Sequence, residues 1–191
     1  MTDSTTALDP RTFFDTVGLF ATGVCVITTE GETGPHGMTA NAVTSLSLDP
    51  MMVIFCVAKR ALMADYLIKP GARFTINVLR DEQIAISNHF AGRSKEGEQP
   101  SFRFVDWPGG PRLEGVLAAI GCEVETTPVG GDHYIVVGRV VSLHQGIEPR
   151  KPLLYFKSRY HDLDGKLNQP APDRQDLSGP GPQMFWDPWE G

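Results

Sequence analysis

A chain of 191 residues, 41 % hydrophobic and 21 % charged, has the size and composition of one globular domain with a proper core. Its net charge of −6 excludes the basic surface of a general nucleic-acid binder, and no apolar run reaches the ~20 residues of a membrane helix. The first ten residues, MTDSTTALDP, lack the basic and apolar regions of a signal peptide, so a cytoplasmic protein with no membrane association is expected.

Residues 1–8 read as a loose end. Asp9-Pro10 then has the form of a helix start, with Asp as cap and Pro at the first helical position. Phe13, Phe14, Val17 and Phe20 follow at helical spacing and are expected to form one buried stripe. Residues 23–29, GVCVITT, are β-branched and read as a strand, with Gly34-Pro35 as the turn into the next. The stretch 34–59, GPHGMTANAVTSLSLDPMMVIFCVAK, is the centre of the chain and is expected to supply two more strands. Its first part is small and hydroxylated; Asp49-Pro50 breaks it. The apolar run 51–58 reads as a strand buried on both faces, ending in the cations Lys59 and Arg60. A hydroxyl-rich strand beside a basic strand end is suited to something flat, polar and anionic.

Residues 61–68 predict a short helix stopped by Pro70 and Gly71, and residues 73–79, RFTINVL, a returning strand. Residues 81–90 predict a second short helix with Asp81 and Glu82 in its first turn. Residues 91–111 form a long loop rich in Gly, Pro and charge, partly tied down by Phe102, Phe104 and Trp107. In the strand 115–127, Ile120, Cys122 and Val124 share one face, opposite Glu123 and Glu125. Gly130-Gly131 makes a hairpin turn into the strand 133–143, and 153–156 is a last short strand. Strands in succession with short inserted helices indicate a mainly β protein, an antiparallel barrel, without the βαβ alternation of a doubly wound fold. The domain is expected over residues 9–160. From 161 to 191 a Pro/Gly-rich extension follows, ending in Phe185-Trp186-Asp187-Pro188-Trp189. It reads either as a tail clamped on the domain or on a partner subunit, or as a disordered end.

The chain contains no GxGxxG after a strand, no Walker A, no HExxH and no GxSxG. The histidines form no metal pattern. Cys25, Cys56 and Cys122 lie far apart in apolar segments, which suits buried thiols in a reducing compartment and no metal. An enzyme built this way depends on a cofactor held by strand and loop residues.

A specific resemblance is carried by Ala21-Thr22-Gly23-Val24, His36-Gly37-Met38-Thr39-Ala40-Asn41 and Thr44-Ser45-Leu46-Ser47-Leu48-Asp49-Pro50. It continues in Arg73-Phe74-Thr75-Ile76-Asn77-Val78-Leu79, His89-Phe90-Ala91-Gly92, Gly131-Asp132-His133 and Pro152-Leu153-Leu154-Tyr155-Phe156. In this order, across roughly residues 13 to 160, the set resembles the flavin reductase-like family. The resemblance implies an FMN-binding split barrel, a homodimer, and an NAD(P)H:flavin oxidoreductase component of a two-component monooxygenase. The implied cofactors are FMN or FAD and NADH or NADPH; the implied partner is a flavin-dependent monooxygenase that receives reduced flavin.

By that resemblance Thr39, Ala40 and Asn41 lie along the isoalloxazine ring, and Ser45, Leu46 and Ser47 near the ring or the ribityl chain. Ala58, Lys59, Arg60 and Ala61 form the turn for the flavin phosphate, where cations and helix N–H groups suit an anion. Phe90 and the loop at Ser94-Lys95 flank the phosphate or adenylate end. His133 stands at hydride transfer, orienting the nicotinamide amide or stabilising charge on reduced flavin. Arg159 and Tyr160 close the site from either subunit. The family often has a hydroxyl near position 61; Ala61-Leu62 leaves that task to backbone and cations.

The same residues have plainer readings. Thr39, Ser45 and Ser47 fit as outward strand residues, whereas Asn41 is a poor strand-interior residue and needs a reason to be there. Lys59-Arg60 fits a solvated strand end, and His133 a turn histidine bonded to a carbonyl. Two functional alternatives also stand: a flavoprotein that keeps its flavin for its own organic substrate, and a non-catalytic flavin-binding protein.

Overall fold

The computed structural model describes residues 8–69, 71–94, 99–147 and 151–163. In chain order the elements are helix α1 (Pro10–Val17) and strands β1 (Thr22–Gly23), β2 (Cys25–Gly31), β3 (Gly34–Ala40), β4 (Val43–Leu48) and β5 (Met51–Ala58). Helix α2 (Leu62–Leu67) and strand β6 (Arg73–Val78) follow, then a 3-10 turn (Asp81–Gln83) that runs into helix α3 (Ile84–Phe90). The chain continues through β7 (Phe104–Val105), β8 (Arg112–Leu113), β9 (Ala118–Thr126), β10 (Val129–Gly130), β11 (His133–Gln145), β12 (Leu154–Phe156) and β13 (Arg159–His161). The tail 164–191, with its terminal aromatics, lies outside the described residues.

The main sheet runs β3-β2-β6-β9-β11-β5-β4, with β10 paired to the start of β11. Every neighbouring pair is antiparallel. The two end strands, β3 and β4, follow one another in sequence but are not paired with each other. The barrel is therefore split where the chain passes through Asn41-Ala42. There the Ala42 carbonyl accepts from the Cys56 N–H at 3.3 Å, which turns β4 onto β5 instead of extending β3.

Three strands arise from residues 34–58 where two were expected. Gly34-Pro35 opens β3 rather than forming the turn, and Pro35 stands opposite Glu30. Proline is tolerated there because β3 is an edge strand. β5 is not buried on both faces: Val53, Phe55 and Val57 are buried, while Met52, Ile54, Cys56 and Ala58 are half-buried. The strands covered on both sides are β2 and β6, because a second apolar layer lies over them. Cys25, Ile27, Phe55, Phe74, Ile76, Cys122 and Val136 fill one side together with Met63 and Leu67 of α2. Val24, Val26, Leu79, Ile86, Leu113 and Leu153 fill the other, with Phe90, Phe102, Phe104 and Trp107 against them.

That second layer depends on buried polar staples. Asn77, fully buried, donates to the Val26 carbonyl and to Thr28 Oγ1, both at 2.9 Å, and accepts the Leu113 N–H at 2.8 Å. Thr28 donates to the Pro111 carbonyl and Thr75 to the Gly110 carbonyl. The long loop thus returns to the sheet through side-chain bonds that substitute for a strand ladder. The expected tie by Phe102, Phe104 and Trp107 is present, and β7 pairs with β8 beside it.

α1 begins as expected: Asp9 is extended and accepts from the Arg11 and Thr12 N–H groups. Its apolar stripe is not buried, however. Phe13, Phe14, Val17 and Phe20 are 63, 71, 51 and 77 % exposed. The helix end is tied by the Lys157 N–H to the Gly18 carbonyl at 2.9 Å, and among the described residues no layer covers the stripe. Periodicity identifies which side chains share a face; it does not supply what covers them.

Candidate functional site

A cavity of about 170 Å³ opens beside the split, lined by Thr39, Ala40 and Asn41, by Ser87, Ala91 and Arg93 of the α3 end, and by Val24, Tyr155 and Tyr160. The β12–β13 hairpin carries both tyrosines, which stand opposite each other in its register. β13 was not expected from sequence. Thr39 Oγ1 donates to the Ser87 carbonyl at 2.6 Å. The Tyr160 hydroxyl donates to Asn88 Oδ1 at 3.0 Å and lies 3.0 Å from Ser87 Oγ, which leaves the serine as donor to the tyrosine. Three elements, β3, α3 and β13, are bolted together in this wall. Ser87 is fully buried, so its bonds are not shared with solvent.

The wall's remaining polar groups are unspent. Among the described residues, Asn41, the Tyr155 hydroxyl and the Arg93 guanidinium make no hydrogen bond or ion pair. Arg93 owes its position to the end of α3. Gly92 takes φ +66°, the Arg93 N–H bonds the Asn88 carbonyl at 2.8 Å and the Gly92 N–H bonds His89 at 3.0 Å. This is the paired C-terminal cap that a left-handed glycine permits. It turns the chain back against the helix and directs residue 93 to the cavity.

A second cavity, about 400 Å³, lies on the other side of the α3 end between Pro35, His36 and Gly37 of β3 and the rings of His89, Phe90, Phe102 and Phe104. Those rings touch edge-on or tilted at 5.0–6.3 Å between centroids. The Phe90 ring packs closely on β3: a Cβ at Gly37 would sit 2.7 Å from it.

Ala58, Lys59, Arg60 and Ala61 form the connection from β5 to α2. Ala58 faces His133 in register, and the Lys59 N–H donates to the Asp132 carbonyl at 3.0 Å. His133 Nδ1 meets Asp132 Oδ1 at 2.7 Å. That hydrogen bond, and then the imidazole's charge, hold the Asp132 carboxyl below its ordinary value. The turn of this hairpin is Gly131-Asp132, one residue later than expected, and it sets His133 as the first residue of β11. Ala61 offers no side-chain cap to α2. It packs on the core cluster that contains Ala40, so the start of α2 adjoins the end of β3.

The chain matches the flavin reductase like domain over residues 17–164. It is 37 % identical over 175 residues to the reductase subunit HsaB of a flavin-dependent monooxygenase from Rhodococcus jostii, covering 90 % of this chain and 87 % of HsaB. Its fold superposes on the flavin reductase PheA2 with a TM-score of 0.75 at 36 % identity, covering 82 % of this chain and 99 % of PheA2. An NADH:FAD oxidoreductase of Streptomyces globisporus, SgcE6, solved with NAD and FAD fragments, gives a TM-score of 0.75 at 31 % identity, covering 85 and 99 %. The chain belongs to the flavin reductase-like family.

The donor set fits the flavin nucleotide that this family's name implies. The first cavity offers an amide, a phenol and a guanidinium that the fold leaves unpaired. The β5–α2 connection adds two cations beside a helix start without a side-chain cap. The first cavity alone is smaller than the roughly 300–1,000 Å³ of ordinary ligand pockets, so by itself it encloses only part of such a molecule.

Of the residues singled out by sequence, Thr39, Ala40, Asn41 and Tyr160 share the first cavity and Phe90 lines the second. Ala58, Lys59, Arg60, Ala61 and His133 form a separate group at the β5–β11 end. Ser45, Leu46 and Ser47 lie on the edge strand β4 around a register shift and line neither cavity. Lys95 lies outside the described residues. Sequence reasoning missed Ser87, Asn88, Arg93 and Tyr155. For Arg93 a signal existed, since a glycine directly after a helix reports the residue that follows it.

Proposed function

We propose that this protein is an NADH-dependent flavin reductase, the small component that delivers reduced FMN or FAD to a flavin-dependent monooxygenase. The observation that carries this reading is the cavity at the barrel split, with unpaired donors, in a chain whose relatives are named as such reductases. When bound, the reduced nicotinamide gives a hydride and the flavin accepts it, so the protein's task is to align two rings and exclude water. Thr39, Ala40 and Asn41 hold the polar edge of the ring, with Ser45, Leu46 and Ser47 along the ring and ribityl chain. The Ala58-Lys59-Arg60-Ala61 connection takes the phosphate, and Phe90 and Lys95 flank the far end. His133 orients the nicotinamide or stabilises charge on the reduced ring, and Tyr160 closes the wall.

The protein functions as a homodimer in the cytoplasm under this proposal. The uncovered α1 stripe and the shallow single-chain cavity both support a second copy. Among the described residues no helix is long and apolar enough to cross a membrane. The assay is NADH and NADPH oxidation by purified protein with and without FMN or FAD. A rate that rises only with added flavin supports the reading; a rate that stays at background in all four combinations rejects it. Sedimentation of Phe14→Asp beside the parent chain tests the dimer, with dissociation expected.

A further inference from the structure

The cavity at the split has one cation and no carboxylate among its described lining residues. That cation is Arg93. Its guanidinium makes no hydrogen bond or ion pair among the described residues, and it is exposed at the cavity mouth. A surface arginine with no partner is ordinary. Here the backbone that leads into the arginine is fixed. Gly92 at φ +66° fixes the turn before it, and the Asn88 carbonyl fixes its own N–H at 2.8 Å. Asn88 is in turn held by the Tyr160 hydroxyl at 3.0 Å, and Tyr160 lines the same cavity. One residue, Asn88, therefore carries the carbonyl that seats Arg93 and the side chain that Tyr160 grips.

We propose that Arg93 receives a phosphate of the bound nucleotide at the barrel split, and that Tyr160, acting through Asn88, is the positioning residue for it. This rests on the flavin reductase reading and extends it to a specific anion contact. A guanidinium presents a planar fork of donors that matches phosphate oxygens, and a charge-assisted contact is stronger than a neutral one. Because the guanidinium has no partner among the described residues, binding an anion breaks no ion pair made there. The phosphate has two possible sources, the flavin or the nicotinamide dinucleotide.

The test is equilibrium binding. Riboflavin, FMN and FAD are titrated by quenching of flavin fluorescence, and NAD⁺ by calorimetry, for the parent chain, Arg93→Gln, Arg93→Lys and Tyr160→Phe. Thermal melting checks that each variant is folded. Arg93→Gln is expected to weaken at least one phosphate-bearing ligand by about tenfold and to leave riboflavin within about twofold, with Arg93→Lys intermediate. Loss of FMN and FAD together assigns the flavin phosphate; loss of FAD alone assigns its second phosphate; loss of NAD⁺ alone assigns the dinucleotide. Tyr160→Phe is expected to change the same ligand in the same direction, and to have no further effect on it in the Arg93→Gln background. Equal weakening of riboflavin and FMN overturns the phosphate assignment, as does binding of all four within twofold of the parent. An added effect of Tyr160→Phe in the double variant overturns its positioning role. If the parent chain binds none of the four, the flavin reading itself fails and this assignment falls with it.

Discussion

Asn77 is a side chain on which the docking of residues 99–113 depends, and Asn77→Leu tests that dependence. Leucine keeps the branching at Cγ, is somewhat larger, and removes the polar atoms. The change deletes bonds to the Val26 carbonyl and Thr28 Oγ1 at 2.9 Å and a longer one to the Thr75 carbonyl at 3.3 Å. It also deletes the acceptor for the Leu113 N–H at 2.8 Å, in a residue with 0 % exposure. Each net hydrogen bond contributes about 1 kcal/mol, and an orphaned buried N–H costs about 1–3 kcal/mol. The expected loss is about 3 kcal/mol, or a melting temperature lower by about 6–12 °C for a domain of this size. Urea unfolding at one fixed protein concentration measures it, since the stability of the proposed dimer would depend on concentration. Hydrogen exchange locates it: the Leu113 amide should lose protection before the Ile27 amide in β2. A loss below about 1 kcal/mol, or a Leu113 amide protected as in the parent, would refute the claim that this side chain anchors the loop.

Gly92→Val places a β-branched residue at φ +66° and is expected to lose about 1–2 kcal/mol, whereas Gly92→Asn loses less; thermal melting compares them. Burial pushes the Cys25 and Cys122 thiols up to about 12, so both stay protonated and unreactive at pH 8 in the folded protein. Labelling with a thiol reagent should therefore modify half-buried Cys56 first, and all three cysteines only after unfolding. The Asp132 carboxyl is held below 3.8 by the His133 hydrogen bond, so folding favours its charged form. That contribution is complete above the ordinary carboxylate range and is lost as pH falls through the lowered value. His133→Ala should let the carboxyl titrate higher, toward 3.8, in a carbon NMR titration of its side chain.

Much of the fold was legible because the chain punctuates itself. Asp9-Pro10 caps a helix, Asp49-Pro50 separates β4 from β5, and Gly131 at φ +65° turns the last long hairpin. The site was legible where a residue type was out of place. Asn41 in a strand-like run needed a reason, and it lies in the cavity wall with its amide unpaired. The same argument applies with more force to Asn77, inside RFTINVL. Apart from the Thr75 carbonyl, its partners sit 36 to 51 residues away, a distance that no local pattern reports. Arg93 and Tyr160 meet through Asn88 across 72 residues for the same reason.

The two misread faces share a cause. α1 has an apolar stripe that nothing among the described residues covers, and β5 has an apolar run whose second face is only half-buried. A sequence written for burial encodes the buried surface of the working assembly, not of one chain. Exposed apolar patches of this kind are uncommon on monomers. Under the proposed dimer both surplus faces and the undersized cavity follow from one missing layer. Under that same proposal a second copy would supply the cover that Phe13, Phe14, Val17 and Phe20 lack among the described residues.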